Sequence, residues 1–169
     1  MIVLETERLV LRHLTLNDAP FILQLLNEPS FLRFIGDRKV RTQQDARIYI
    51  LNGPIASYEK NGFGLFLTFL KETGDPIGMC GLLKRDTLED VDVGFAFLPA
   101  YWRQGYASEA AAGALAYARD ERGLKRIVAI TSPDNVGSIK VLEKVGLTFE
   151  KMIQMTDDPR EVRLFGIAF

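Results

Sequence analysis

The sequence predicts a mixed α/β fold in which one sheet, mostly antiparallel, holds a single parallel pair of strands near its centre and carries helices on both faces. Two observations predict it. The apolar, strand-forming runs 64–70, 76–83 and 91–98 are separated by Thr73-Gly74-Asp75 and by the polar stretch Lys84 to Asp90, which is the pattern of an antiparallel meander. An alanine-rich helix from Tyr106 to Glu121 then leads into the β-branched run Arg126 to Thr131, and strand, helix, strand forms one parallel crossover. With 169 residues, the chain has room for one good core and is expected to be a single domain over 1–169.

The elements follow in order. Leu4 to Leu14 reads as a first strand, with Leu9 and Leu11 alternating with Arg8, Val10 and Arg12. Asn17 and Asp18 offer N-caps for a helix through Leu26 that tolerates Pro20 in its first turn and stops before Pro29. Phe31 to Ile35 adds a helical turn, Gly36 to Val40 is a loop, and Thr42 opens a second amphipathic helix that fades near Lys60. After the meander, the long helix ends at Gly123, placed for a left-handed C-cap. A helix from Val136 to Lys144 closes at Gly146 and precedes two last strands, Leu147 to Met155 and Glu161 to Phe169. The chain contains no repeat, low-complexity tract or linker.

Composition bounds the function. The chain is 47% hydrophobic and 25% charged, and its 21 basic and 22 acidic residues leave a net charge of -1, so it has no polyanion footprint and direct nucleic-acid binding is not expected. Met1 to Leu14 carries Glu5 and Glu7 inside its apolar stretch and does not read as a signal peptide; no run has the apolar length to cross a bilayer, so no membrane partner is expected. The single Cys80 excludes an internal disulfide and a cysteine-cluster metal site, and it fits a buried thiol in a reducing, cytoplasmic setting. His13, the one histidine, cannot build a multi-histidine site, and no metal is expected.

The most informative segment is Phe95 to Ala107, where an apolar strand meets Pro99 and then Gly105 opens the alanine-rich helix. The first turn of a helix leaves main-chain N–H groups unpartnered and carries about half a positive charge, so it attracts anions, phosphate above all. Gly105 allows close approach and Arg103 adds a full charge, which suits a diphosphate. An ordinary strand-to-helix connection with a glycine N-cap accounts for the same residues equally well.

Three segments, 5–12 (ETERLVLR), 101–110 (YWRQGYASEA) and 135–146 (NVGSIKVLEKVG), together resemble the GCN5-related N-acetyltransferases, GNAT for short, and within them the Rim-type ribosomal-protein N-terminal acetyltransferases. The resemblance covers nearly the whole chain. It implies that acetyl-CoA is the co-substrate and that Arg103, Gln104, Gly105, Tyr106, Ala107 and Ser108 cradle its diphosphate. It implies that the strand ending at Leu98 splays from the strand ending at Thr131, that main-chain groups around Ala96, Phe97 and Leu98 pair with the pantetheine arm, and that the side chain of Asn135 contacts it. A plain N-cap role for Asn135 is compatible with that contact. The wider family places Arg or Gln where this chain has Trp102, which leaves Arg103 as the local charge.

Acetyl transfer from a thioester to an amine needs a free amine in line with the carbonyl and a donor for the developing oxyanion, for which a strand N–H near Phe97 is suited. No covalent intermediate is required. Asp92 is the first candidate for the base: it shares a strand face with the small residues Gly94 and Ala96, and it matches an acidic position in Rim-like sequences, with Glu89 and Asp90 behind it. A strand-end charge paired with a neighbouring Lys or Arg is the competing account of Asp92. The tyrosine that many family members place seven residues after the asparagine is Leu142 here, whereas the resemblance puts Ser138 on the sulfur side, where it contacts or protonates the thiolate. Serine early in a helix is also often structural.

Sparse acid–base equipment favours an α-amine, with pKa near ~8 and about a fifth free base at pH 7.4, over lysine, at roughly 0.1%. The expected acceptor is a protein or peptide N-terminus, with small amines such as polyamines, amino sugars or amino acids as alternatives. The resemblance places residues 31–40 and the turn 156–161 at the acceptor mouth, where Asp157, Asp158 and Glu161 either attract a cationic acceptor or form a solvated hairpin turn. A CoA-binding sensor without turnover is the rival from another class. A nucleotide-binding module is disfavoured, because neither phosphate-binding glycine motif of such proteins occurs. The oligomeric expectation is a monomer or homodimer.

Overall fold

A computed structural model describes residues 1–156 and 158–169. Its strands are β1 (Ile2–Glu5), β2 (Leu9–Arg12), β3 (Leu65–Leu70), β4 (Pro76–Leu83), β5 (Asp92–Phe97), β6 (Arg126–Thr131), β7 (Thr148–Gln154) and β8 (Glu161–Ala168). Its helices are α1 (Ala19–Leu26), α2 (Pro29–Phe34), α3 (Gln43–Ile50), α4 (Ala56–Asn61), α5 (Tyr106–Asp120) and α6 (Val136–Lys144). The strands form one eight-stranded sheet in the order β1-β2-β3-β4-β5-β6-β8-β7, and only β5 and β6 run parallel.

The sheet is packed on both faces. On one, the alanines 110, 114 and 118 of α5 bring the helix close over Val93, Phe97 and Ile127, and Leu142 of α6 and Phe165 complete that cluster. On the other, Ile22, Leu25 and Leu26 of α1 and Ala46 and Ile50 of α3 pack with Met79 and Leu98. Two elements differ from the sequence expectation. The predicted first strand is a hairpin, because the hydroxyl of Thr6 accepts the N–H of Leu9 (3.1 Å) and its N–H donates to Leu9 O (2.9 Å), turning the chain between β1 and β2. The helix from Thr42 runs on to Asn61, but its stretch Leu51–Ile55 widens into a π turn around Pro54, which has no N–H to give and whose ring displaces the carbonyl one turn back. No helix among the described residues is long and apolar enough to cross a membrane.

The centre of the sheet is open. Asp92 and Val128 are the one register pair between β5 and β6, closed by Val128 N–H to Val91 O (3.0 Å). Beyond it each strand holds to its outer neighbour, β5 to β4 as far as Phe97 and β6 to β8 through Thr131, and the two diverge. Gly94, Phe95 and Ala96 are consequently part-exposed in the middle of an eight-stranded sheet.

Candidate active site

The loop from Trp102 into α5 has the chemistry of an anion site. Among the described residues, no acceptor takes the main-chain N–H of any residue from Arg103 to Ser108, and the first bond of the helix runs from Glu109 N–H to Gly105 O (3.0 Å). The loop reaches this shape through two left-handed residues, Arg103 at φ 62 and Gly105 at φ 83. Gly105 adopts that region freely, whereas Arg103 does so at a cost of about 1 kcal/mol. Arg103, Gln104 and Gly105 are exposed, while Tyr106, Ala107 and Ser108 are half-buried.

A brace from the far edge of the sheet holds this loop. The Arg8 guanidinium donates to Glu109 Oε1 from Nε (2.7 Å) and to the Gln104 carbonyl from Nη1 (2.9 Å), and it stacks on the Tyr106 ring with 4.3 Å from Cζ to the centroid. Its Nη2 lies 3.1 Å from where a Cβ on Gly105 would stand. Glu109 Oε2 also accepts the Arg8 N–H (2.8 Å) and the Thr6 hydroxyl (2.5 Å). Burial works against the Glu109 charge, but the Thr6 and Arg8 hydrogen bonds outweigh it and hold the carboxyl below its ordinary range. The one hint was that Thr6 and Arg8 lie in a segment that carries the family resemblance; pairing across about a hundred residues leaves no local signal.

At the splayed strands, hydrogen-bond parity decides which groups face the gap. Leu98 N–H donates to Ile77 O (2.9 Å), and Val91 O accepts from β6. Alternation along the strand therefore turns the main chain of Asp92, Gly94, Ala96 and Leu98 toward β4, and that of Val93, Phe95 and Phe97 toward β6. Of the residues expected to pair with a pantetheine arm, Phe97 faces the gap, as does Phe95; Ala96 faces β4, and Leu98 gives its N–H to Ile77 O and accepts Tyr101 N–H at its own carbonyl (2.9 Å). The Trp102 indole N–H donates to Phe97 O (2.9 Å), fixing the end of β5 to the loop.

Asn135 sits at the N-cap of α6, with Oδ1 accepting Ser138 N–H (3.2 Å). The cap uses the carbonyl end of the amide and leaves the Nδ2 donors outside that bond. Ser138 is half-buried in the first turn. Leu142, at the position of the family's tyrosine, is 1% exposed and belongs to the core.

Asp92 occupies the closed end of the gap and is itself 1% exposed. Burial pushes its carboxyl up to about 6, against the pull of Arg85, whose Nε lies 3.1 and 3.3 Å from the two carboxylate oxygens. The geometry is that of the strand-end ion pair, and a carboxyl raised by burial is compatible with the candidate base. Glu89 and Asp90 lie outside the sheet in the connection before β5, and Asp90 pairs with Arg126 (3.1 Å). Cys80 is buried and burial pushes its thiol up to about 12, which leaves it unreactive. His13 stacks on Tyr58 with centroids 4.1 Å apart, a structural role.

The last turn of α2 closes over the chain just past the end of β6, where the Ser132 hydroxyl donates to Phe34 O (3.0 Å) and Arg33 meets Asp134 (3.3 Å). Asp158 is ion-paired with its neighbour Arg160 (2.6 Å), which holds its carboxyl down to about 2, so it stays ionised with its charge offset by Arg160. Asp157 lies outside the described residues, and Glu161 begins β8 as an exposed residue.

A model of the acetyltransferase (GNAT) domain family matches residues 8–148, a span that contains the braced loop, the splayed strands and Asn135. The chain belongs to the GNAT acetyltransferase family. It is 30% identical to an uncharacterised protein, YkkB, of Bacillus subtilis over 92% of this chain and 91% of that one. It is 31% identical to an uncharacterised N-acetyltransferase, p20, of Bacillus licheniformis over 88% of this chain and 82% of that one. In fold it resembles a ribosomal L7/L12 α-N-protein acetyltransferase, RimL, solved in complex with coenzyme A, with a TM-score of 0.85, 17% identity, and 100% and 98% of the two chains covered. This GNAT chain is an acetyl-CoA-dependent acyltransferase, and enzymes of its family act on amine acceptors.

Proposed function

We propose that the chain moves the acetyl group of acetyl-CoA directly to an α-amine, either a protein or peptide N-terminus or a small α-amino compound. The observation that carries this reading is the gap beside β5, into which the Phe95 and Phe97 main chain faces, next to the unpartnered N–H groups of 103–108. In this reading the loop Arg103 to Ser108 grips the diphosphate and the strand peptides and Asn135 Nδ2 hold the pantetheine arm. The thioester carbonyl oxygen meets Phe97 N–H. The amine nitrogen attacks the carbonyl carbon, the C–N bond forms to give a tetrahedral oxyanion stabilised by that fixed donor, and its collapse breaks the C–S bond and releases the thiolate of CoA.

The amine proton passes toward Asp92 through water in the space left by Gly94, and the thiolate of CoA is met by Ser138, which orients it or gives it a proton. The burial of Cys80 leaves no thiol nucleophile in the described site, which supports direct transfer. A sensor that binds CoA without turnover is favoured by two facts, the sealing of Asp92 by Arg85 and the core position of Leu142. Thiol release measured with acetyl-CoA and a panel of N-terminal peptides, amino acids and polyamines separates the two. Amine-dependent release supports transfer; tight acetyl-CoA binding with no release across the panel supports the sensor.

A further inference from the structure

Between the 36–41 loop and α3 lies an open depression of about 360 Å³, lined by Arg38 and Lys39 from the loop and by Asp45, Tyr49 and Asn52 from the helical stretch. The loop is built to present its cations. Gly36 at φ 126 and Lys39 at φ 58 are both left-handed, and the turn between them is tied by Lys39 N–H to Asp37 Oδ1 (2.7 Å) and by Asp37 to Arg41 (2.6 Å). Asp45, the carboxylate in the lining, accepts the main-chain N–H of Arg41 at Oδ2 (3.0 Å), while its own main-chain N–H donates to the capping Thr42 hydroxyl (3.0 Å). Asn52 is carried out to the surface by the π turn at Pro54.

The depression lies on the same side of the sheet as Ala96 of the gap, since Tyr49 of its lining and Ala96 pack against one apolar cluster. Arg38 Nη1 and Arg160 Nη2 converge on Gly36, 3.7 and 3.8 Å from where a Cβ would stand, at the segment that Ser132 ties to the end of β6. Tyr49 is the inner wall: burial pushes its hydroxyl up, and the charges of Arg38 and of Arg85, the partner of Asp92, oppose that shift. Two cations against one committed carboxylate leave a single positive charge in the lining, which matches a carboxylate better than a phosphate monoester with its ~2 charges.

We propose that the acceptor of this enzyme is an α-amine with a carboxylate a few bonds away, and that Arg38 and Lys39 hold that carboxylate, with Tyr49 and Asn52 as its hydrogen-bond partners, while the amine reaches Gly94 to Ala96 of β5. This rests on the gap as the place of transfer. The carboxylate belongs either to a free amino acid or to an acidic residue at the head of a peptide, and no polyamine carries one.

The test pairs each acid with its uncharged isostere: free amino acids against their amides, and tripeptides headed by Asp or Glu against those headed by Asn or Gln. Binding is measured by calorimetry and transfer by thiol release. In the parent protein the acids are expected to bind and react at least about tenfold better than their isosteres. Arg38→Ala should erase most of that ratio, and Arg38→Glu should invert it. Acetyl-CoA affinity should stay within about twofold in both variants, since Arg38 lies away from the diphosphate loop. Which of the two acid series reacts identifies the source of the carboxylate. Amides or polyamines that bind and react as well as the acids, acids that bind but are not acetylated, or a ratio untouched by Arg38→Glu would each overturn the proposal. Failure of the protein to bind acetyl-CoA is a separate result that removes the transfer reading, while calorimetry with the acids still reads the depression on its own.

Discussion

Replacing Arg8 by alanine is expected to weaken acetyl-CoA binding although Arg8 is not required to touch the cofactor. Arg8 neutralises Glu109, a carboxylate in the first turn of the helix whose N-terminus is the proposed diphosphate site, with side chains 41% and 18% exposed. Without Arg8, that negative charge faces the diphosphate. At a separation near 8 Å and an effective dielectric near 40, each unit of phosphate charge is opposed by about 1 kcal/mol, so two units give about 2 kcal/mol. Salt of about 0.15 M and the partial exposure of Glu109 reduce this, leaving about a 5- to 10-fold rise in KM for acetyl-CoA. The variant should also lose about 1 kcal/mol of stability, a Tm fall of about 2–4 °C. Steady-state kinetics with acetyl-CoA varied at fixed acceptor should show kcat within about twofold of the parent. The decisive measurement is the double variant Arg8→Ala/Glu109→Gln, which removes both charges and should recover most of the lost affinity. If KM stays high in the double variant, Arg8 acts by shape or by direct contact, and the electrostatic reasoning is refuted.

Other outcomes are expected at the same site. Gly105→Val places a β-branched side chain at φ 83 with its Cβ 3.1 Å from Arg8 Nη2, and calorimetry should show acetyl-CoA binding lost while circular dichroism shows the fold retained; unchanged affinity would contradict the anion-site assignment. Arg103→Gly should move two properties in opposite directions, raising Tm by about 2–4 °C as left-handed strain is relieved and raising KM for acetyl-CoA as a cation is lost. Asp92, pushed up to about 6 by burial, is a base only when deprotonated, so its contribution grows as pH rises through that value. With an α-amine acceptor of pKa near ~8, log kcat/KM should climb with a slope of two below about pH 6 and of one between about 6 and 8. Asp92→Asn should flatten the steeper limb and lower turnover with little effect on acetyl-CoA affinity; identical profiles would remove Asp92 from the mechanism.

Much of this architecture was legible in order of appearance. Pro76–Leu83, Arg126–Thr131 and Val136–Lys144 fall where apolar runs, β-branching and capping residues put them, because those signals are local. The Thr6 turn carries no local stop signal, because residues 5–8 that form it include neither glycine nor proline. Pro54 lies inside its helix, where the backbone widens into a π turn just after Ile50, which is buried with Ala46 and α1 in one core. At the site, the glycine turn and Asn135 could be picked out from residue type and spacing alone. The parity of β5 could not, since which peptide groups face the gap depends on its register with β4.

The sequence by itself determined the elements and the chemical character of the loop at Gly105, since helix capping, turn formation and anion attraction depend on residues within a few positions of one another. The tertiary structure decided what those residues are joined to. Opposite charges attract and hydrogen bonds close across space regardless of separation along the chain, so only the fold could set Arg8 against Glu109, seal Asp92 behind Arg85, and bring Arg38 and Lys39 to a wall shared with Tyr49.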